Sequence, residues 1–316
     1  MNNGTNLTID PLNLLRIKIF SFISNIGNVY IVPPLCSLGF LLNILCIITF
    51  IRLCKQGNIF KYFLVKTIAE SIILFTGALI PLGFCIQCSV YQSLPQMIHQ
   101  YILVGYLIPV SYTFSGFCEI IITVDRILIL KNKEKNSISY KVVMIVILIL
   151  SVFMFLPLLF SRYLKELPEN KFVLLRTAFG SSADFSIYLS ITVLVRNTFF
   201  FVSLVVSNIL LLVQFRKYID KKYKLFNGLT RSKDLSNSSS VKSESSNNKK
   251  DDPEKRLTRM TLTLSLIFIL SRGLQSVGSI SSSIDKGNQI QFNPFTTIFN
   301  FCSNVVNYLV YSSIKF

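Results

Sequence analysis

The chain has 316 residues, 51% of them hydrophobic, and a mean hydropathy of +0.56, which is too high for a water-soluble protein of this length. Its formal net charge is +17 at pH 7. The basic residues are concentrated in segments beside long apolar stretches, so membrane topology and anionic lipid explain the charge better than a nucleic-acid partner does.

Seven apolar stretches are each long enough to cross a bilayer as a helix, which takes about 20 residues. They are predicted at about 30–51, 63–86, 100–130, 142–161, 188–215, 258–282 and 293–313. All seven should be helical, because a helix satisfies its own backbone polar groups in hydrocarbon. The fold prediction is therefore an all-α membrane protein, with a seven-helix bundle over residues 29–316 behind a tail of residues 1–28. No removable signal peptide is expected.

The orientation prediction follows from the lysines and arginines. With the N-terminus outside, 23 of them fall in cytoplasmic segments and 8 in outer segments, and Arg272 completes the 32. Cytoplasmic loops are normally the basic ones. Two glycosylation sequons, at Asn3 and Asn6, agree with an outer N-terminal tail. The C-terminus is then expected in the cytoplasm.

Two loops have recognisable patterns. Residues 216–257 are rich in Ser, Asn and Lys, and we expect disorder over about 225–252, flanked by basic helix extensions. In the outer loop at 162–187, KFVLLRT and FSIY flank AFGSSAD, which predicts a hairpin of those two segments with a Gly-Ser turn.

Cys85 and Cys88 stand at the outer end of the second predicted span. Their CxxC spacing has no second Cys pair or His beside it, so metal binding is not favoured, and their disulfide status is left open.

Charged residues inside the spans are costly and need partners. Asp125 and Arg126 lie near the inner end of the third span, and Arg126 is followed by the apolar residues 127–130. Arg126 is therefore expected within the helix body. Glu254, at the start of the sixth helix on the same side, is a candidate partner.

The Asp125-Arg126-Ile127 segment resembles the Asp-Arg-Tyr motif of rhodopsin-like G protein-coupled receptors. The segment EKRLTRM, from Glu254 to Met260, resembles the start of that family's sixth helix. SNVVNYLVYSSIKF resembles its seventh-helix Asn-Pro-x-x-Tyr segment, with Tyr308 where the family has proline. These motifs occur in the family's order over roughly residues 28–316, so the chain resembles a divergent member.

The resemblance implies a plasma-membrane receptor that couples an outer ligand, a peptide or a small chemical cue, to a heterotrimeric G protein. It implies an activation switch at Asp125, Arg126, Glu254, Asn307 and Tyr311. It implies a polar core at Asn43, Glu70, Ser115, Glu119, Arg272 and Asn304, with sodium as a candidate ion near Glu70 and Ser115. It implies a ligand pocket that includes Ile108, Tyr112, Arg272 and Gln275. No cofactor is expected.

The sequence also departs from the family. It has no tryptophan. Arg272 stands where the family has its sixth-helix tryptophan. Tyr101 stands where the family's third helix usually has a disulfide cysteine. Arg272 either pairs with Glu70 or Glu119 or binds an anionic ligand group. The internal pair is favoured here because those two carboxylates otherwise lack a cation, Lys66 being expected to reach the cytoplasmic interface.

Two other functions are considered. A small transporter or channel would also use charged residues inside the membrane, although no inverted repeat is visible. A receptor that folds but does not signal would explain the missing tryptophan and the missing prolines of the fifth and sixth helices. An enzyme is not expected, because the only histidine is His99 and no catalytic motif occurs.

Overall fold

The computed structural model describes residues 30–55, 57–79, 92–131 and 139–234, together with eleven further helical residues, all between 258 and 273. Several predicted features lie outside the described residues. These are the tail with Asn3 and Asn6, the Cys85 and Cys88 pair, Glu254, Arg272, Gln275, and the seventh span with Asn304, Asn307 and Tyr311.

Helices dominate the described part of the chain. In chain order they are α1 (Val32–Leu53), α2 (Asn58–Ala78), α3 (Leu94–Ile98), a π-helix (His99–Leu107), α4 (Ile108–Leu130), α5 (Tyr140–Phe155), a 3₁₀ turn (Leu156–Phe160), α6 (Ala178–Ser181) and α7 (Ala183–Asp234). Two strands, β1 (Arg162–Leu167) and β2 (Lys171–Arg176), form an antiparallel hairpin.

Four of the described helical stretches are long and apolar enough to cross a membrane: Val32–Leu53, Leu94–Leu130, Tyr140–Phe160 and Ala183–Lys221. Helix α2 has 21 residues and carries Lys61, Lys66 and Glu70. It packs between α1 and α4, so Lys66 and Glu70 face protein.

The third predicted span, 100–130, is confirmed as helical, and its helix begins six residues earlier, at Leu94.

The distribution of polarity is that of a membrane protein. Large apolar side chains are exposed on α1, α5 and α7, including Leu41 at 60%, Phe153 at 64% and Ile209 at 58%. Lys66 and Glu119, by contrast, are each only 1% exposed. A water-soluble protein of this size does not normally expose so much contiguous apolar surface, whereas hydrocarbon solvates it. The prediction of an all-α membrane protein is confirmed to that extent, apart from the hairpin.

Helix α4 is the central packing element. It contacts α2 on one side and α7 on another, and it also contacts α5. Its core side chains, Cys118 and Ile122, are fully buried. At Gly116 an added Cβ would lie 3.0 Å from the ring of Phe200 on α7. A small residue here lets the two helices approach closely, as is common between membrane helices.

The helix that continues into α4 changes its hydrogen-bonding pattern before Pro109. The Ile108 N–H donates to the Leu103 carbonyl, five residues back, as a π-helix requires. Pro109 has no N–H to donate, so the wider pattern ends where the proline begins. Tyr101 donates its hydroxyl to the Leu159 carbonyl. A hydrogen bond therefore joins this helix to the end of the α5 segment.

A hairpin is present in the outer loop, but it is not the predicted one: KFVLLR forms β2, whereas its partner is β1 and not FSIY, which is helical in α7. Arg162 pairs with Arg176 and Leu167 with Lys171, so the turn is Pro168–Asn170, where Asn170 has φ of 56°. Proline starts such a turn readily and asparagine tolerates the left-handed conformation. The Gly-Ser segment instead forms α6, which Thr177 caps by accepting from the Gly180 N–H at 2.9 Å.

The start of the disordered loop was also predicted wrongly. Helix α7 continues to Asp234, so residues 225–234, which were assigned to that loop, are helical. Extending an existing helix requires no new nucleus, and the residues at 221–234 include lysine, leucine and arginine, which favour helices. Residues 235–257 lie outside the described part of the chain.

Gly180 holds the base of the hairpin against the helices. A Cβ at this position would lie 1.9 Å from the Ser161 carbonyl oxygen, which is far inside contact distance. We expect Gly180→Ala to lower the free energy of unfolding by about 1–3 kcal/mol, measured as a lower thermal midpoint of the purified protein. Gly57→Ala is the matched control, since nothing lies within 4 Å of a Cβ there. Equal midpoints for the two variants would contradict this account.

Candidate functional site: a buried lysine between two glutamates

The most unusual feature of the interior is an ionic cluster of Lys66, Glu70 and Glu119. The Lys66 ammonium lies 2.8 Å from Glu70 Oε1 and 3.2 Å from Glu119 Oε2. Lys66 and Glu70 are one turn apart on α2, which is the spacing for a helical ion pair, and Glu119 comes from α4. The three side chains are at most 1% exposed. The cluster therefore joins two helices through an ammonium that is shielded from solvent.

Hydroxyl groups surround the carboxylates. Ser115 on α4 donates to Glu70 Oε1 at 3.2 Å, and Ser265, from the sixth predicted span, donates to Glu119 Oε1 at 2.9 Å. Thr123 lies 3.4 Å from the Ser265 hydroxyl. The polar network thus connects α2, α4 and the sixth span.

The electrostatics of the cluster explain why its members are found together. An isolated charge in a low-dielectric interior is strongly unfavourable, and a close opposite charge with further hydrogen bonds offsets that cost. Here one ammonium serves two carboxylates, and hydroxyl donors provide additional stabilisation. With all three groups ionised the cluster carries one net negative charge, so its stability depends strongly on the ammonium.

The prediction that Lys66 reaches the cytoplasmic interface is wrong. Helix α2 begins at Asn58 rather than at residue 63, which places Lys66 eight residues, or about 12 Å, inside the helix. Its side chain lies between α2 and α4. The premise that Glu70 and Glu119 lack a cation is therefore wrong as well, and the preference for a pair between Arg272 and one of them loses its basis.

The sodium suggestion is affected in the same way. Glu70 and Ser115, the two residues proposed to hold it, are brought together as expected. However, the Glu70 oxygen that accepts from Ser115 also contacts the Lys66 ammonium. The ammonium therefore occupies the position beside Glu70 Oε1 where a small cation would be expected to bind.

The other described residues of the predicted switch and polar core are buried. Asp125 and Arg126 are 7% and 5% exposed and lie within the last turns of α4, so Arg126 is in the helix body. Asn43 on α1 is fully buried. Its side-chain amide has no hydrogen-bond partner among the described residues. The pairing of Arg126 with Glu254 is untested, because Glu254 lies outside those residues.

The two described pocket candidates lie on α4, and one of them leads to a residue that the sequence interpretation missed. Ile108 is the first residue of α4. The Tyr112 ring lies 5.8 Å from the guanidinium of Arg196 on α7. That residue is Arg196, and the Arg-Asn pair that it forms with Asn197 within the apolar stretch 188–215 was the signal for a buried polar site.

No protein-family model matches the chain, and no curated protein matches it. The function is therefore inferred from the residues and their geometry.

Removing the ammonium should be more damaging than removing the whole cluster. We expect Lys66→Met to lower the free energy of unfolding by about 3–5 kcal/mol, because it leaves two buried carboxylates without their cation. The triple change that adds Glu70→Gln and Glu119→Gln should recover most of the loss. Thermal midpoints of the purified proteins measure both effects.

The control is Lys55→Met, which removes an exposed lysine beyond α1 and should leave the midpoint unchanged. If Lys66→Met were as stable as this control, the ionic cluster would not contribute as described.

Proposed function

We propose that the chain is a seven-helix receptor that resembles the rhodopsin-like G protein-coupled receptors and acts at the plasma membrane. In this proposal the N-terminus is outside, a ligand binds near the hairpin, and the cytoplasmic ends of the helices promote nucleotide exchange on a heterotrimeric G protein. The observation that carries the proposal is the arrangement of functional side chains along α4.

Helix α4 presents three such side chains at seven-residue intervals. Tyr112 lies toward the hairpin end, Glu119 is in the ionic cluster, and Arg126 is buried near the other end. Seven residues are close to two helical turns, so the three positions share one face of the helix. They span about 21 Å, most of the thickness of a hydrocarbon core. One helix thus connects a ligand-side residue with a candidate coupling residue.

The mechanism that follows is a population shift between two arrangements of the helices. In the resting state Arg126 is held by Asp125 and Glu254. Displacement of the sixth helix would strain or break the bond from Ser265 to Glu119 and free Arg126 for Tyr311 and the G protein. Asn307 belongs to the same seventh-helix segment as Tyr311 and takes part in the switch.

A transporter is the second candidate, because the ionic cluster itself favours it. Two carboxylates around one ammonium inside a bundle are also typical of a proton or ion pathway. The two functions are separated by measurement: a transporter moves solute or protons across vesicles without a G protein. A receptor that has lost signalling does neither.

Ligand-free exchange tests the proposal directly, without a known ligand. We expect Glu254→Ala to raise basal nucleotide exchange about two- to fivefold, since it removes a charge pair worth about 0.5–1 kcal/mol. Exchange would be measured on a panel of heterotrimeric G proteins with purified receptor in nanodiscs. An unchanged rate of exchange with every G protein tested, at equal amounts of folded receptor, would contradict the proposed resting-state pair of Arg126 and Glu254.

A second variant identifies the coupling residue. In the Glu254→Ala background, Arg126→Leu should reduce exchange by about tenfold or more, because a charge-assisted hydrogen bond to the G protein is lost. Lys131→Leu is the matched control, since Lys131 follows α4 and is exposed. If the two changes had the same effect, Arg126 would not be the residue that couples.

A further inference from the structure

The cavity at the base of the hairpin is lined by two arginines that stand side by side. It has a volume of about 170 Å³, and Arg162 on β1 and Arg176 on β2 both contribute to its wall. The two residues are direct partners in the antiparallel pairing. Directly opposite residues lie on the same face of a hairpin, with Cβ atoms about 4.5–5.5 Å apart. Both guanidinium groups can therefore contact one small molecule in the cavity.

The backbone next to this arginine pair is anchored to the helices. The Thr177 N–H donates to the Ser161 carbonyl at 3.0 Å, one position beyond the pair, and the Thr177 hydroxyl donates to the Phe160 carbonyl at 2.8 Å. The strands are thus joined where the arginines stand. Like charges directly opposite each other destabilise a strand pair, and an anion bound between them would reverse that effect.

The first turn of α7 adds to the polar side of the cavity. Phe185 and Ser186 line the cavity, and the N-terminal turn of a long helix favours a nearby negative charge. Ser186 also brings a hydroxyl group that can donate a hydrogen bond. Asp184, in the same turn, is exposed. Glu166 shares a face of β1 with Arg162, but it lies four residues, or about 13 Å, along the strand.

The remainder of the described lining is largely apolar and belongs to membrane-spanning segments. Leu158 lies in the apolar stretch Tyr140–Phe160 and Leu189 in Ala183–Lys221. Arg162 follows the first of these stretches by two residues. The cavity therefore lies where the apolar spans meet the hairpin, with basic groups on its hairpin side and carbon on its helix side.

We infer that this cavity binds a phosphate or sulfate group that carries a short apolar body or belongs to a lipid. An arginine fork binds two oxygens of an anion at once. Two forks on adjacent strands are served better by a tetrahedral group, which has at least three oxygens pointing in different directions, than by a carboxylate, whose two oxygens lie in one plane.

The size of the cavity limits the occupant to such a head group with few carbon atoms. Sites for drug-sized ligands measure about 300–1,000 Å³, which is well above the 170 Å³ found here. The apolar part of the ligand contacts Leu158, Phe185 and Leu189. The inference goes beyond the proposed function, because binding at this site does not depend on a G protein.

The first arm of the test compares soluble probes on the full-length protein in phosphatidylcholine nanodiscs, at constant ionic strength. Butyl phosphate and butyl sulfate should raise the thermal midpoint at concentrations where butanoate does not. Arg162→Gln and Arg176→Gln should each weaken the binding of butyl phosphate about tenfold or more, because each removes charge-assisted hydrogen bonds to the anion.

The matched control is Lys165→Gln. It removes one positive charge from the same hairpin, at an exposed position of β1, and should leave the affinity nearly unchanged. If the three variants weakened binding equally, or if butanoate bound as well as butyl phosphate, the attraction would be one of general charge and the inference would be wrong.

The ligand-free thermal midpoint shows whether the pair has a structural role instead. Arg176→Gln should not lower it relative to Lys165→Gln, since the change removes a like-charge contact. A clearly lower midpoint for Arg176→Gln would mean that the arginine stabilises the fold and would count against a ligand site.

The second arm identifies the source of the anionic group. Phosphatidic acid carries a phosphate monoester like that of butyl phosphate. If adding it to the nanodiscs weakens the apparent binding of butyl phosphate to the unaltered protein but not to Arg176→Gln, the natural occupant is a lipid head group. If the lipid has no effect while butyl phosphate binds, the occupant is a soluble molecule. Failure of every phosphate and sulfate probe to bind would overturn the inference.

These measurements are made without a G protein. A chain that binds the phosphates but never promotes exchange would contradict the proposed signalling while leaving the anion site intact. A chain that promotes exchange but does not distinguish butyl phosphate from butanoate would have the opposite meaning.

Discussion

The ammonium of Lys66 between Glu70 and Glu119 is the interaction on which the helix arrangement depends. Each of the three charges would be strongly unfavourable alone in an interior that is nearly free of solvent. Their combination constrains the depth and rotation of α2 against α4 to the positions where the ammonium reaches both carboxylates. The hydroxyls of Ser115 and Ser265 extend this constraint to the sixth span.

The same cluster gives the bundle a physical means of changing state. Apolar contacts between membrane helices are similar in many relative positions, whereas a buried ion pair is favourable only within a narrow range of distances. Any displacement of the sixth span that carries Ser265 away from Glu119 leaves a carboxylate less well stabilised. In the mechanism proposed above, the free energy difference between the two arrangements of the bundle would therefore be concentrated at the middle of α4, between Tyr112 and Arg126.

Two arginines illustrate how a charge inside a membrane protein is interpreted. Arg272 first suggested a partner for the buried glutamates, but Lys66 already occupies that position. Arg196 shows a different situation: it is buried beside aromatic rings and an amide.

What the sequence determined by itself was the class of protein and the order of its helices. Long apolar stretches and the distribution of basic residues predict membrane helices because both depend on composition over about 20 residues. The position of Arg126 within the body of α4 was also predictable, since an apolar turn follows it, and so was one strand of the hairpin, β2. The turn residues Pro168 to Asn170 were visible in the sequence, although the turn was predicted at the Gly-Ser segment instead.

The partners of the buried charges were decided only by the tertiary structure. Whether Lys66 reaches an interface or a glutamate depends on where α2 begins, and five residues correspond to about 7.5 Å of depth. Periodicity shows which face of a helix is buried. The pairing of side chains across helices depends on the relative depth and rotation of the two helices, and the sequence of one helix does not specify these.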